Sequence, residues 1–185
     1  FVTFNIFAHN NQLDDIAKDM EAIAKFNPDA FIMADLGVIN LAKKLAPNVP
    51  IHISTQANTV NIEDVKFWQN FGAKRVVLAR ELTLEEIREI HNAVPEIELE
   101  VFVHGSMCIS YSGRCLMSNY MTQRDANNGE CAQPCRWNYN VYLEEKNRLG
   151  EIFPAEEDDK GTYIMRPKDL ALIEYLPEIL STGAT

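Results

Sequence analysis

The sequence predicts an α/β fold with a parallel sheet, and three observations carry that prediction. β-Branched and aromatic runs alternate with stretches whose apolar residues recur at helical spacing. The links between them are short, which favours right-handed crossovers between parallel strands. The strands start roughly 20–30 residues apart, the repeat length of a βα unit.

Val2-Thr3-Phe4-Asn5-Ile6-Phe7 reads as the first strand. From Asn10 to Phe26, Leu13, Ile16, Ala17, Met20, Ile23 and Ala24 recur as one helical face, and Asn27-Pro28 stops it. Ala30 to Ala34 is a second strand ending at Asp35, followed by a short helix over Val38 to Leu45. The third strand is Ile51 to Ser54, and its helix runs from Ile62 to Phe71 with Gly72 as the cap. Arg75 to Ala79 is the fourth strand. Thr83-Leu84-Glu85-Glu86 is a capping box that opens a helix to His91, and Leu99 to Val103 is the fifth strand. These units, residues 1–104, read as part of a (β/α) TIM-type barrel.

Beyond them the pattern changes. Residues 105–137 form a cysteine-rich segment expected to bind a metal or cluster. Residues 138–165 read as a hairpin-like acidic excursion, with a strand over Tyr139 to Leu143 and a return strand at Tyr163-Ile164-Met165. Residues 166–185 read as a helix returning to the barrel, carrying Leu170, Leu172, Ile173, Leu176, Ile179 and Leu180 and bent at Pro177. An eight-stranded barrel needs about 250 residues, and the chain begins within a strand without a Met. It is therefore expected to be truncated at both ends, and its open strand edges are expected to promote self-association.

Composition narrows the function. An apolar content of 46% supports a buried core, and no apolar run reaches the length of a membrane span. Phe1 is not followed by signal-peptide features, so a cytoplasmic, thiol-reducing setting is expected. The net charge of −10 argues against a general phosphate-binding surface. Arg114, Arg124 and Arg136 nevertheless sit among the cysteines, where balancing thiolate charge and contacting RNA are both open.

All four cysteines fall between Cys108 and Cys135, spaced C-x6-C-x15-C-x3-C over Cys108, Cys115, Cys131 and Cys135. Converging thiols share either two disulfides or a metal centre, and an intracellular α/β chain favours metal. The x3 gap suits zinc, x6 is wide for a structural zinc site, and neither gap matches the usual ferredoxin spacings. Spacing alone leaves zinc and an iron–sulfur cluster open.

The strand ends supply the other candidates. His9-Asn10, Asp35, Ser54-Thr55-Gln56-Ala57-Asn58, Arg80-Glu81 and His104-Gly105 each follow an apolar strand and are expected to share one mouth with the cysteines. His104, Arg80, Asp35, Gln56 and His9 are the catalytic candidates. Against that stand helix capping for Asn10 and Asn58, a turn role for Asp35 and a local ion pair for Arg80-Glu81. His52 and His91 are expected to be structural. Tyr111, Tyr120 and Trp137 are expected to pack around the cysteine lobe.

From Glu100 to Ser118 the chain reads EVFVHGSMCISYSGRCLMS, which resembles the signature of peptidase family U32, the collagenase-like peptidases. Its elements fall at Glu100, Phe102, Gly105, Ser106, Cys108, Gly113, Cys115 and Ser118. RDANNGECAQPCRW, from Arg124 to Trp137, is similar to the family's branch of tRNA uridine-hydroxylation proteins, and NIFAHN, STQAN and RVVLARE extend the likeness upstream. The resemblance implies a barrel with strands before Phe1 and after Thr185. It also implies a 4Fe–4S cluster on the four cysteines, with zinc the alternative, and oxygen-independent formation of 5-hydroxyuridine in a tRNA anticodon, with prephenate as oxygen source. The family label also implies protease or hydrolase activity, and a non-enzymatic docking role is a third reading. The chain has neither H-E-x-x-H nor G-x-S-x-G, and no base can be assigned to Ser106.

Overall fold

The computed structural model describes residues 1–140, 142–144, 146–154 and 169–185. Five parallel strands, β1 (Val2–Phe4), β2 (Phe31–Met33), β3 (Ile51–Ile53), β4 (Arg75–Val77) and β5 (Glu98–Glu100), lie side by side in chain order. Helices α1 (Leu13–Ala24), α2 (Leu36–Leu45), α3 (Ile62–Phe71) and α4 (Leu84–Ala93) connect them. The order is progressive because each crossover returns the chain to the next free edge.

Register explains how the faces divide. Phe31 pairs with Ile51, and Met33 with Ile53, while Ile53 pairs with Val76 and Val76 with Leu99. This row of apolar side chains meets Met20, Val38, Ile39, Val65, Ile87 and Ile90 of the helices in one buried core. The alternate row, Ile32, His52, Arg75 and Glu98, faces the other way. There Arg75 donates to Glu98 and, at 2.9 Å, to Glu100. Period-two alternation thus places a greasy layer under the helices and a charged row on the opposite face.

Several boundaries follow local chemistry. The helix over Ile62–Phe71 has the expected limits, closed by Gly72 in the left-handed region (φ 96°). Thr83 and Glu86 form the expected capping box: Thr83 N–H donates to the Glu86 carboxylate at 2.8 Å, and Glu86 N–H donates to Thr83 Oγ1 at 3.3 Å. The strands are shorter than their apolar runs, and the first expected helix begins as a 3-10 turn over Asn10–Gln12. Asn58 does not cap α3; the Asn61 side chain accepts from Asp64 N–H instead.

After β5 the structure departs further from expectation. β6 (His104–Gly105) leads into the cysteine segment, which contains the short helix α5 (Met117–Thr122). β7 (Tyr142–Glu144) pairs antiparallel with β8 (Ile152–Pro154). The hairpin therefore closes much earlier than expected, and Tyr163–Met165, the expected partner, lies outside the described residues. The expected helix from Leu170 onward is instead β9 (Leu170–Ala171), antiparallel to β6, a 3-10 turn, and α6 (Leu176–Leu180). Pro177 does not bend a helix; it occupies the first turn of α6, where its missing N–H costs nothing. Thr185 N–H then donates to Leu99 O at 2.9 Å, and Val101 N–H donates to Thr185 O at 3.2 Å, the pattern of a next parallel strand beside β5.

His52 offers a test of the charged face. It is 6% exposed, lies edge-on to Phe1 at 5.0 Å, and neighbours Arg75 in register. Burial first, and the Arg75 charge second, hold its pKa below the ordinary value, with Glu98 and Glu100 partly opposing. The folded chain then resists a proton that the unfolded chain accepts, so stability falls as pH drops below about 6.5. Urea unfolding between about pH 7.5 and pH 5.5, spanning the ordinary histidine range, should show that loss in the parent and a flatter profile in His52→Gln.

Candidate functional site

The cysteine segment folds back over the strand ends and is held there by a few polar contacts. The Glu81 carboxylate, just after β4, accepts Ser112 N–H at 2.8 Å and the Ser112 hydroxyl at 2.6 Å. Ser112 is fully buried with φ 41°, a left-handed conformation that costs a non-glycine residue about 1–2 kcal/mol. Two charge-assisted bonds offset that cost. Glu81 is thus committed to the lobe, and no ion pair joins it to Arg80 among the described residues.

Further contacts tie the lobe to β1 and β3. Arg114 Nε donates to Gln56 O at 3.2 Å, and its guanidinium stands 4.8 Å from the Phe7 ring centre. Gln56 Oε1 accepts from Asn5 Nδ2 at 2.5 Å. Phe7 N–H donates to Asn127 O at 3.1 Å, and Gln12 Nε2 to Asn128 Oδ1 at 2.9 Å. His9 Nε2 lies 3.9 Å from Asp125 Oδ2.

Inside the lobe, Asn127 binds the Cys115 backbone twice: Cys115 N–H donates to Asn127 Oδ1 at 3.1 Å, and Asn127 Nδ2 to Cys115 O at 2.9 Å. Buried Ser118 accepts Ala132 N–H at 3.0 Å, linking the two cysteine pairs. Arg136 donates to Met107 O at 3.1 Å and to Asp169 at 2.8 Å. None of the residues Glu81, Ser112, Asn127 and Ser118 stood out for this role in the sequence, because their partners lie 12 to 31 positions away.

All four thiols are free; Cys115 and Cys135 are buried and Cys131 is exposed. Three sulfurs accept the backbone N–H two residues on: Cys108 from Ser110 at 3.4 Å, Cys115 from Met117 at 3.3 Å, and Cys131 from Gln133 at 3.3 Å. Burial pushes the Cys115 thiol up, but the Ser110 hydroxyl and the N–H groups of Ser118 and Met117 outweigh it and leave the pKa lowered. Cys135 is raised, first by burial and further by neighbouring Cys108 and Cys131, against Ile109 N–H and Arg136. Four thiols in one lobe, three with amide donors aimed at the sulfur, fit the chemistry of a thiolate-ligated group, since such donors stabilise sulfur charge. Among the described residues, no group of three or more His, Cys, Asp or Glu side chains stands close enough to hold a metal ion.

The five catalytic candidates separate. Gln56 and Arg80 stand beneath the lobe, next to Gly113, and His104 shares a small cavity with Arg80. His9 lies at the far rim beside Asp125. The Asp35 carboxylate accepts Gly37 N–H at 2.7 Å and Val38 N–H at 3.0 Å, which makes it the cap of α2. Tyr120, expected to pack, is 88% exposed; Tyr111 and Trp137 are about half exposed, and Trp137 stacks on Tyr139 with ring centres 6.4 Å apart.

The sequence profile of peptidase family U32 matches residues 1–185. The tRNA hydroxylation protein P of Escherichia coli is 41% identical over 220 residues, covering 99% of this chain and 49% of that protein. The protein of the same name from Helicobacter pylori is 45% identical, covering 100% of this chain and 44% of its own. The Escherichia coli 23S rRNA 5-hydroxycytidine C2501 synthase is 33% identical over the whole of this chain and 25% of its own length. The chain thus spans about half the length of the first two relatives. No solved structure matches it.

If Glu81 clamps the lobe, Glu81→Ala should release it. Native-state alkylation of buried Cys115 should then run several-fold faster, consistent with losing about 1 kcal/mol of closure. Lys18→Ala, on the exposed surface of α1, should leave the rate unchanged. Equal Cys115 rates in the parent and Glu81→Ala, read by mass spectrometry, would remove the clamp.

Proposed function

The chain belongs to peptidase family U32, and on that premise we propose that it is part of an enzyme that hydroxylates RNA, with a tRNA anticodon uridine as its target and 5-hydroxyuridine as the product. The observation that carries this reading is the coincidence of two features. Three relatives matched over 99–100% of the chain are named for tRNA hydroxylation or 5-hydroxycytidine synthesis. The one cysteine-rich lobe is pinned over the ends of parallel strands, where βα folds assemble their reactive groups.

In this reading the five parallel strands are the part of a (β/α) barrel that this chain contributes. Cys108, Cys115, Cys131 and Cys135 hold a 4Fe–4S cluster, which when bound supplies one-electron chemistry at the mouth. The chain's own residues support it. The amides of Ser110, Met117 and Gln133 lower the charge cost on three sulfurs, and Arg136 offsets charge near Cys135. Prephenate is the proposed oxygen source, and the setting is cytoplasmic, where free thiols persist.

The overall charge of −10 limits where RNA can approach. The exposed aromatic residues Tyr111, Tyr120 and Trp137, interleaved with Arg114 and Arg124 on the lobe, suit contact with an unstacked loop. Proteolysis has a relative's name behind it, an uncharacterized protease of Methanocaldococcus jannaschii 38% identical over 97% of this chain, but no catalytic pairing in the described structure. Among the described residues no serine or cysteine is hydrogen-bonded to a histidine, the pairing that activates a nucleophile. No described helix is long and apolar enough to cross a membrane.

Nucleoside analysis of tRNA tests the reading. A strain lacking the gene that encodes this chain should lose 5-hydroxyuridine, regain it with the wild-type gene, and stay without it when Cys115→Ser is supplied. An unchanged 5-hydroxyuridine level in the deletion strain would contradict it.

A further inference from the structure

Arg80 stands just after β4, beside Ala79, and is partly buried. Its Nε is buried with no hydrogen-bond partner. Among the described residues the guanidinium meets no carboxylate. Its neighbour Glu81 is turned to Ser112, and the Arg80 guanidinium stands 5.9 Å from the centre of the Phe102 ring. A buried guanidinium N–H without a partner is costly, and the fork of donors to which it belongs matches the two oxygens of a carboxylate or phosphate.

The surroundings supply room for such a group. Arg80, Phe102, His104, Ser106 and Leu170 line a cavity of about 140 Å³. That is below the ~300 Å³ at which pockets begin to enclose drug-sized ligands, so the space takes one anionic group of a larger molecule rather than a whole nucleotide. His104 and Ser106 bring further hydrogen-bonding side chains to the same wall, while Phe102 and Leu170 keep part of it apolar. The antiparallel pair of His104–Gly105 with Leu170–Ala171 fixes that wall.

We propose that this cavity is an oxyanion subsite, in which the Arg80 guanidinium binds a carboxylate or phosphate oxygen pair with His104 and Ser106 at its wall. The anion comes either from a small carboxylic acid or from the phosphate backbone of RNA. Its place in catalysis rests on the RNA-hydroxylation reading; the binding itself does not.

Side-chain Nε–H signals of arginine, followed by NMR on the whole chain at constant chloride, test the subsite. Sodium phosphate and sodium benzoate are titrated separately, and the Arg80 signal is assigned by its loss in Arg80→Lys. The Arg80 signal should shift and saturate with at least one anion, while that of Arg88, exposed on α4, stays near its starting position. Saturation with phosphate alone points to an RNA phosphate, with benzoate alone to a small acid, and with both to a general oxyanion site. His104→Gln, which leaves Arg80 in place, should weaken binding about threefold, the scale of one neutral hydrogen bond. No saturable Arg80 shift with either anion, or equal shifts of Arg80 and Arg88, would overturn the proposal. Unchanged 5-hydroxyuridine in the deletion strain would leave it standing and remove only its assignment to RNA chemistry.

Discussion

The site depends first on one carboxylate. Glu81 takes both the N–H and the hydroxyl of Ser112, at 2.8 and 2.6 Å, and holds that residue in a left-handed turn between Cys108 and Cys115. The turn lets the chain reverse over the strand ends, so that Arg114 reaches the carbonyl of Gln56 and Asn127 reaches Phe7. The same commitment of Glu81 leaves Arg80 without a carboxylate among the described residues. One interaction therefore both docks the cysteine lobe and leaves a cation at the wall of a cavity beside the strand ends.

Beneath the lobe, the sheet is rigid for an ordinary reason. Its strands alternate, and one parity buries Phe31, Met33, Ile51, Ile53, Val76 and Leu99 against four helices. The other parity carries His52 and the Arg75–Glu98–Glu100 group. Strand ends supported in this way place Asn5, Gln56, Arg80 and Glu81 with little freedom. A lobe that is itself short of regular structure borrows its order from them. Its internal links, Asn127 on the Cys115 backbone and Ser118 on Ala132, join the first cysteine pair to the second.

The repeating part of the chain was readable because its signals are local. Helix α3 is bounded by Gly72, and α4 by the Thr83–Glu86 box, and both lie where these residues indicate. Two of the polar residues expected after the strands, Gln56 and Glu81, lie where the lobe docks. Long-range choices were not readable in the same way. Leu170 to Leu180 carries helical spacing, yet Leu170–Ala171 pairs with His104–Gly105, a strand partner far away in sequence. Asp35 looked like a mouth residue and serves α2 as its cap, because the first free N–H groups of a helix compete for any nearby carboxylate. Glu81 and Ser112, 31 positions apart, carry no local mark of their pairing.

We propose that the four cysteines, three of them served by backbone N–H donors, hold an iron–sulfur cluster over the strand ends. Iron, zinc and acid-labile sulfide measured on anaerobically purified protein test it most directly. The account predicts about four irons and four sulfides per chain, as in a 4Fe–4S centre, with both lost in Cys131→Ser. One zinc per chain with no sulfide would contradict it and make the lobe a structural zinc site.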